Sequence, residues 1–198
     1  MRTFLAGIVL CALVLIGGMA FAQNQNEKGD LGLGFGTLVS TPSDKASGNY
    51  APQSMGGGLY TTFSVNYLLR HHLGVSGELS WRDHQNLYEG YEPFRPLFYD
   101  INGLYERRLG KDLGFEAMAG IGAASTRFYS GSYNCTFIAC TDYNSTTHFM
   151  GHIGGGVNVY VHGNFFIRPE AHLYFIHNNN EFSSGRVGRL GATLGYTF

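Results

Sequence analysis

The chain has 198 residues, room for one domain, and its charged residues make up 14% of it. That is well below the usual ~25%, while glycine is about twice its usual ~7%. A formal net charge of −1 speaks against a nucleic-acid partner, and a mean hydropathy of −0.07 speaks against a helical membrane protein.

The chain begins with export features. Arg2 supplies a positive start, Phe4 to Ile16 is an apolar run, and Ala20-Phe21-Ala22 is a small-x-small site. Gly17-Gly18 breaks the apolar run before that site. The expectation is a signal peptide over 1–22, cleaved after Ala22, and a single domain over 23–198. Cys11 lies in the signal, too early and with the wrong preceding residue for a lipid anchor. Loss of Arg2 leaves 12 Lys and Arg against 14 Asp and Glu.

From Gly29 onward one pattern repeats: every second residue is apolar, and the residues between are glycine or polar. That is strand periodicity, because successive side chains point to opposite faces. The expected strands are 29–40, 56–67, 73–82, 97–106, 112–126, 148–161, 165–176 and 186–198. Their apolar rows include Leu31-Leu33-Phe35 in the first, Leu73-Val75-Leu79-Trp81 in the third and Leu190-Ala192-Leu194-Tyr196-Phe198 in the last. Pro169 lies inside the seventh, where it removes a ladder donor or marks a bulge. The connections alternate in length: long at 41–55, 83–96, 127–147 and 177–185, short at 68–72, 107–111 and 162–164.

Alternation of this kind predicts an all-β fold, an eight-stranded antiparallel up-and-down transmembrane β-barrel with long loops outside the cell and short turns in the periplasm. Each strand has about the 9–11 residues that cross the hydrocarbon at a tilt. Trp81, Tyr99 and Phe149 fall near the outer interface, and Tyr67, Tyr105, Phe165, Tyr196 and Phe198 near the inner one, as two aromatic girdles. A soluble barrel needs the reverse, with the apolar row inside. Backbone groups in lipid must be paired within the protein, so the sheet closes, with the last strand against the first around Leu31 to Val39.

Signal, eight alternating strands and the terminal Tyr196-Thr197-Phe198 together resemble the OmpA/OmpX-like superfamily of small outer-membrane barrels. The resemblance implies an integral outer-membrane protein surrounded by lipid. It also implies that Tyr196 and Phe198 form the signal read by the barrel assembly machinery. Where the family usually has glycine, five residues before the terminal aromatic, this chain has Thr193 between Gly191 and Gly195.

The inward rows carry Glu78, Arg82, Asp100, Glu106, Glu116, Arg168, Glu170 and Arg189. An eight-stranded barrel is narrow enough for side chains to fill it, and lone buried charges are costly, so these groups are expected to pair into a lumen network. A narrow ion path through them is the alternative. His152 and His172 face the same way; a metal site would explain them, but so would neighbouring polar groups, and no metal or other cofactor is assigned. In the longest loop, Cys135 and Cys140 form an exported pair at short spacing, which reads as a local disulfide; two further ligands for zinc are missing.

No catalytic set stands out. A lipid A-modifying barrel needs a serine beside a histidine base; no His is followed two places on by Ser, and His84 and His148 lack a Ser partner in sequence. The expectation is a non-enzymatic, monomeric barrel with a structural or surface-interaction role. Its working surface would be the Tyr/Ser/Asn-rich loop 127–147, where an extracellular ligand would bind.

Overall fold

The computed structural model describes residues 28–40, 53–110, 112–129, 134–135 and 140–198. Segment 1–22 with its cleavage site after Ala22, most of loop 41–55 and much of loop 127–147 lie outside the described residues. The strands are β1 (Gly29–Ser40), β2 (Tyr60–Arg70), β3 (Leu73–Arg82), β4 (Asn86–Tyr88), β5 (Glu92–Arg108), β6 (Leu113–Phe128), β7 (Asn134–Cys135), β8 (Cys140–Thr141), β9 (Asn144–His162), β10 (Phe165–Ile176) and β11 (Arg186–Thr197).

Eight long strands form a closed ring in the order β3-β2-β1-β11-β10-β9-β6-β5, with β5 returning to β3. β1 lies antiparallel to β11 from Asp30↔Thr197 to Ser40↔Val187, the closure expected from the sequence. β3 meets β5 from Leu73↔Tyr105 to Trp81↔Leu97. A closed ring has no free edge and leaves every long strand paired on both sides.

The faces follow the alternation. Ile101 and Ile121 are 71% and 61% exposed and stand opposite each other on β5 and β6. Their neighbours Asp100 and Asn102 turn inward and are buried. Phe63, Val65, Leu79, Phe149, Ile153 and Leu194 extend the exposed apolar band around the barrel. In water so large an apolar surface would aggregate; against lipid it is the stable face. At the turn end, Tyr67, Tyr105, Phe165 and Tyr196 are exposed, with the Phe165 and Tyr196 rings 4.9 Å apart.

Several boundaries differ from expectation. β2 runs from Tyr60 to Arg70, not 56–67. The loop at 83–96 contains β4 and the start of β5, so Pro93 and Pro96 lie inside a strand. One register step beyond Trp81↔Leu97, the Arg82 carbonyl accepts from Arg95 Nε at 2.6 Å, a side chain serving where Pro96 has no N–H. The loop at 127–147 holds the short β7–β8 pair and is entered by β6 and β9. Pro169 stays in strand but weakens it locally: pairing of β10 with β9 lapses at Arg168 and Pro169 and resumes in the same register at Glu170↔Gly156, and the single shift lies at Phe165/Phe166.

The lumen is also not polar throughout. Its loop end is filled by an apolar cluster that includes Leu38, Tyr60, Phe94, Phe98, Met150, Tyr174 and Val187 from the strands. Met55 and Phe182 come in from the loops to complete it. Phe94 and Phe182 pack with ring centroids 5.3 Å apart, and Phe98 stacks on Tyr174 at 5.1 Å. Tyr88 donates to the Glu181 carbonyl (2.7 Å), and the Ser183 amide donates to the Gln53 carbonyl (2.9 Å), tying three loops over this cap.

Candidate functional site

Below the cap the inward rows bring charged and polar groups together in two layers. In the upper layer Glu78 and Asp100 stand directly opposite each other across β3 and β5. Like charges so placed repel, and the opposite wall answers them. His152 Nδ1 lies 3.3 Å from Asp100 Oδ1, His172 Nδ1 lies 3.5 Å from Glu78 Oε2, and Arg189 Nη2 lies 3.5 Å from Glu78 Oε1.

The lower layer centres on Arg168, whose side chain is fully buried. It donates to Glu116 Oε2 at 2.5 Å, Glu170 Oε2 at 3.1 Å and Ser64 Oγ at 3.2 Å, with Asp30 Oδ1 3.7 Å away. Asn66 donates to both Asp30 and Glu116. Glu170 joins the layers: its Oε2 takes Arg168 and its Oε1 takes Arg189 Nη2 at 3.1 Å. Charge-assisted contacts of this kind hold the walls together. Glycine makes room for them: a Cβ on Gly156 would sit 2.7 Å from Arg168 Cγ.

Thus Glu78, Asp100, Glu116, Arg168, Glu170 and Arg189 meet in one network. Arg82 does not; it lies higher, its guanidinium 5.7 Å from the Phe94 ring. Glu106 accepts from Asn158 at 3.3 Å at the network's lower edge. Sequence reasoning missed Asp30 and Asn66, although Asn66 continues the polar inward row of Thr62 and Ser64. At the turn end Phe166 packs edge-on to Tyr160 (5.8 Å), with Arg108 over the Tyr160 ring at 3.9 Å.

The rim is the other candidate surface. β5, β6 and β9 have 17, 16 and 19 residues, several more than the ~9–11 that cross a bilayer. Their loop ends therefore stand above the lipid as paired strands. Cys135 and Cys140 form a disulfide across β7 and β8, Cα atoms 4.0 Å apart. Arg127 lies over the Tyr143 ring at 4.8 Å, and Tyr143 packs on Tyr129 at 5.8 Å. His148 Nε2 sits 2.9 Å from Glu181 Oε2, a hydrogen-bond contact at the rim.

No curated protein matches this sequence. Among solved structures, Neisserial surface protein A is 13% identical, covering 86% of this chain and 96% of its own, with a TM-score of 0.61. Ail, the attachment invasion locus protein of Yersinia pestis, solved with the heparin analogue sucrose octasulfate, is 14% identical over 88% of this chain and 100% of its own, TM-score 0.56. The N-terminal β-barrel domain of Pseudomonas aeruginosa OprF gives 14%, 88%, 100% and 0.54. At such identities the likeness is one of fold. The family described as outer membrane protein beta-barrel domain matches residues 8–198, nearly the whole sequence. With the closed eight-stranded ring and its lipid-facing band, that match makes this chain a member of the outer membrane protein β-barrel family, integral to the outer membrane.

Proposed function

We propose that the protein is a non-catalytic surface-interaction barrel that presents a rigid extracellular rim and passes no solute. The observation that carries this reading is the apolar cap: Phe94, Phe98, Tyr174 and Phe182 fill the loop end of the lumen above the charge layers. A lumen filled at that end leaves the rim as the surface that meets the outside. In this reading residues 1–22 direct export, Tyr196 and Phe198 serve assembly, and the folded chain is a monomer.

The partner would be met by aromatic and amide groups. The described rim carries Asp83, Glu89, Glu92, Asp142 and Glu181 against Arg95, Arg127 and Arg186, a poor match for a polyanion such as the analogue bound to Ail. Tyr91 is exposed, and Tyr129 and Tyr143 cluster beside the disulfide-linked strands. Rings and short polar groups make adaptable contacts at low entropic cost.

Bacteria displaying the wild-type chain, and a variant whose residues 130–142 are replaced by a short glycine-serine turn, should be compared for adhesion to epithelial monolayers. Adhesion above a vector control that falls with the replacement supports the reading, and so does passage of the detergent-solubilised protein through heparin-agarose without retention. Adhesion no greater than the control sinks the interaction role.

A further inference from the structure

We propose that Glu78, His152 and His172 form a binding site for one divalent transition-metal ion of the zinc class, buried within the barrel. This goes beyond the sequence expectation of no metal and is independent of the rim proposal. Two imidazoles and a carboxylate converge from β3, β9 and β10. His152 Nε2 and His172 Nδ1 are 2.9 Å apart; Glu78 Oε2 is 3.5 Å from His172 Nδ1 and 3.9 Å from His152 Nε2. Two ligand atoms on a tetrahedral ion with bonds of ~2.0–2.1 Å are separated by about 3.3 Å. The observed triangle brackets that edge.

The far sides of both rings look onto oxygen atoms. His152 Nδ1 faces two acceptors, Asn102 Oδ1 at 2.9 Å and Asp100 Oδ1 at 3.3 Å, so it is the N–H. His172 Nε2 lies 3.5 Å from a carboxylate oxygen of Glu170, which leaves Nδ1 as the nitrogen turned toward His152. His152 Nε2 and His172 Nδ1 point at each other, 2.9 Å apart, beside a Glu78 carboxylate that is buried and accepts no hydrogen bond. One ion placed among these three atoms meets all of them as ligands. A carboxylate on the outer nitrogen of each imidazole is also how metal-binding histidines are oriented. Tyr174 stacks on the His152 ring at 4.8 Å and limits its rotation.

Two further observations agree. Among the described buried groups, five acidic side chains (Asp30, Glu78, Asp100, Glu116, Glu170) outnumber three guanidinium groups (Arg82, Arg168, Arg189), and Arg82 lies outside the network, so a cation here enters an acidic surrounding. Arg189 approaches the other Glu78 oxygen, Oε1, leaving Oε2 to the histidines. The space is kept open by Gly154, which pairs with His172; a Cβ there would lie 3.0 Å from His152 Nε2 and against His172 Nδ1. Imidazole with carboxylate suits zinc over calcium or magnesium, which prefer oxygen ligands throughout.

The test uses the tag-free mature chain, refolded from denaturant into detergent with equimolar zinc and freed of unbound metal. Zinc per chain is read by elemental mass spectrometry, and the folded fraction by the gel mobility of unboiled samples. Wild type is expected to hold one ion. His172→Gln and Gly154→Ala should both retain about tenfold less or lower still; the second keeps every ligand and blocks the space with one methyl group. Zinc-free wild type, or equal zinc in wild type and the folded variants, overturns the proposal. If neither variant folds, cobalt(II)-loaded wild type decides: a visible band typical of four-coordinate cobalt that zinc abolishes supports the site, and its absence overturns it.

Discussion

Arg168→Met tests whether the lower charge layer holds the barrel together. The substitution keeps much of the stem's volume and removes a guanidinium that meets Glu116 at 2.5 Å, Glu170 at 3.1 Å and Ser64 at 3.2 Å. Asp30 at 3.7 Å loses its cation as well. Breaking a buried pair from one side leaves uncompensated charge and costs ~3–5 kcal/mol; with Glu116 and Asp30 both left without a cation, while Glu170 keeps Arg189, the upper end applies. Glu116→Gln should recover part of that loss in the Arg168→Met background, because it removes one of the stranded charges. The assay is urea-dependent folding into lipid vesicles, followed by the mobility of unboiled samples in gels. A double-mutant cycle should give a coupling of about 1–3 kcal/mol between the two positions. If Arg168→Met stays within about 0.5 kcal/mol of wild type, the size expected of surface changes, the network does not carry the wall-to-wall stability assigned to it.

Gly156→Val should destabilise by about 1–3 kcal/mol in the same assay, since its Cβ would press on Arg168 Cγ and the Pro169 carbonyl oxygen, each 2.7 Å away. Ile121→Arg, placed mid-strand on the lipid face, should cost ~2–4 kcal/mol, whereas Leu59→Arg near the rim should cost ~0–1 kcal/mol; equal costs would contradict the assigned membrane depth. Phe182→Ala removes a ring packed against Tyr88, Phe94 and Phe128. It should loosen the cap by about 3 kcal/mol and admit protease cleavage within 177–185 while the barrel stays folded.

The barrel was legible because lipid and lumen impose opposite demands on alternate residues. Leu31, Leu33 and Phe35 against Gly32 and Gly34 leave no other face assignment, and β3 and β10 matched their expected bounds, Leu73–Arg82 and Phe165–Ile176. Legibility failed above the membrane, where the two-residue period no longer separates lipid from lumen. Pro93 and Pro96 read as loop there, yet lie in β5, with Arg95 serving the Arg82 carbonyl.

The cap was missed for a related reason. Phe94, Phe182 and Met55 sit in stretches that look like polar loops, and only the ring brings them over one another. A signal did exist: inward residues become large and apolar at the loop ends, as in Leu38, Tyr60, Phe98 and Met150. The histidine pair shows what sequence withholds. His152 and His172 were legible as inward, but their 2.9 Å approach depends on the β9–β10 register.

Single-channel recording in planar lipid bilayers tests the central claim most directly. A barrel filled by charge layers and an aromatic cap should produce no stable conductance at either polarity, and neutralising Arg82 or Glu116 should open none. Large, long-lived current steps from the wild-type protein would contradict a closed lumen and, with it, the rim as the working surface.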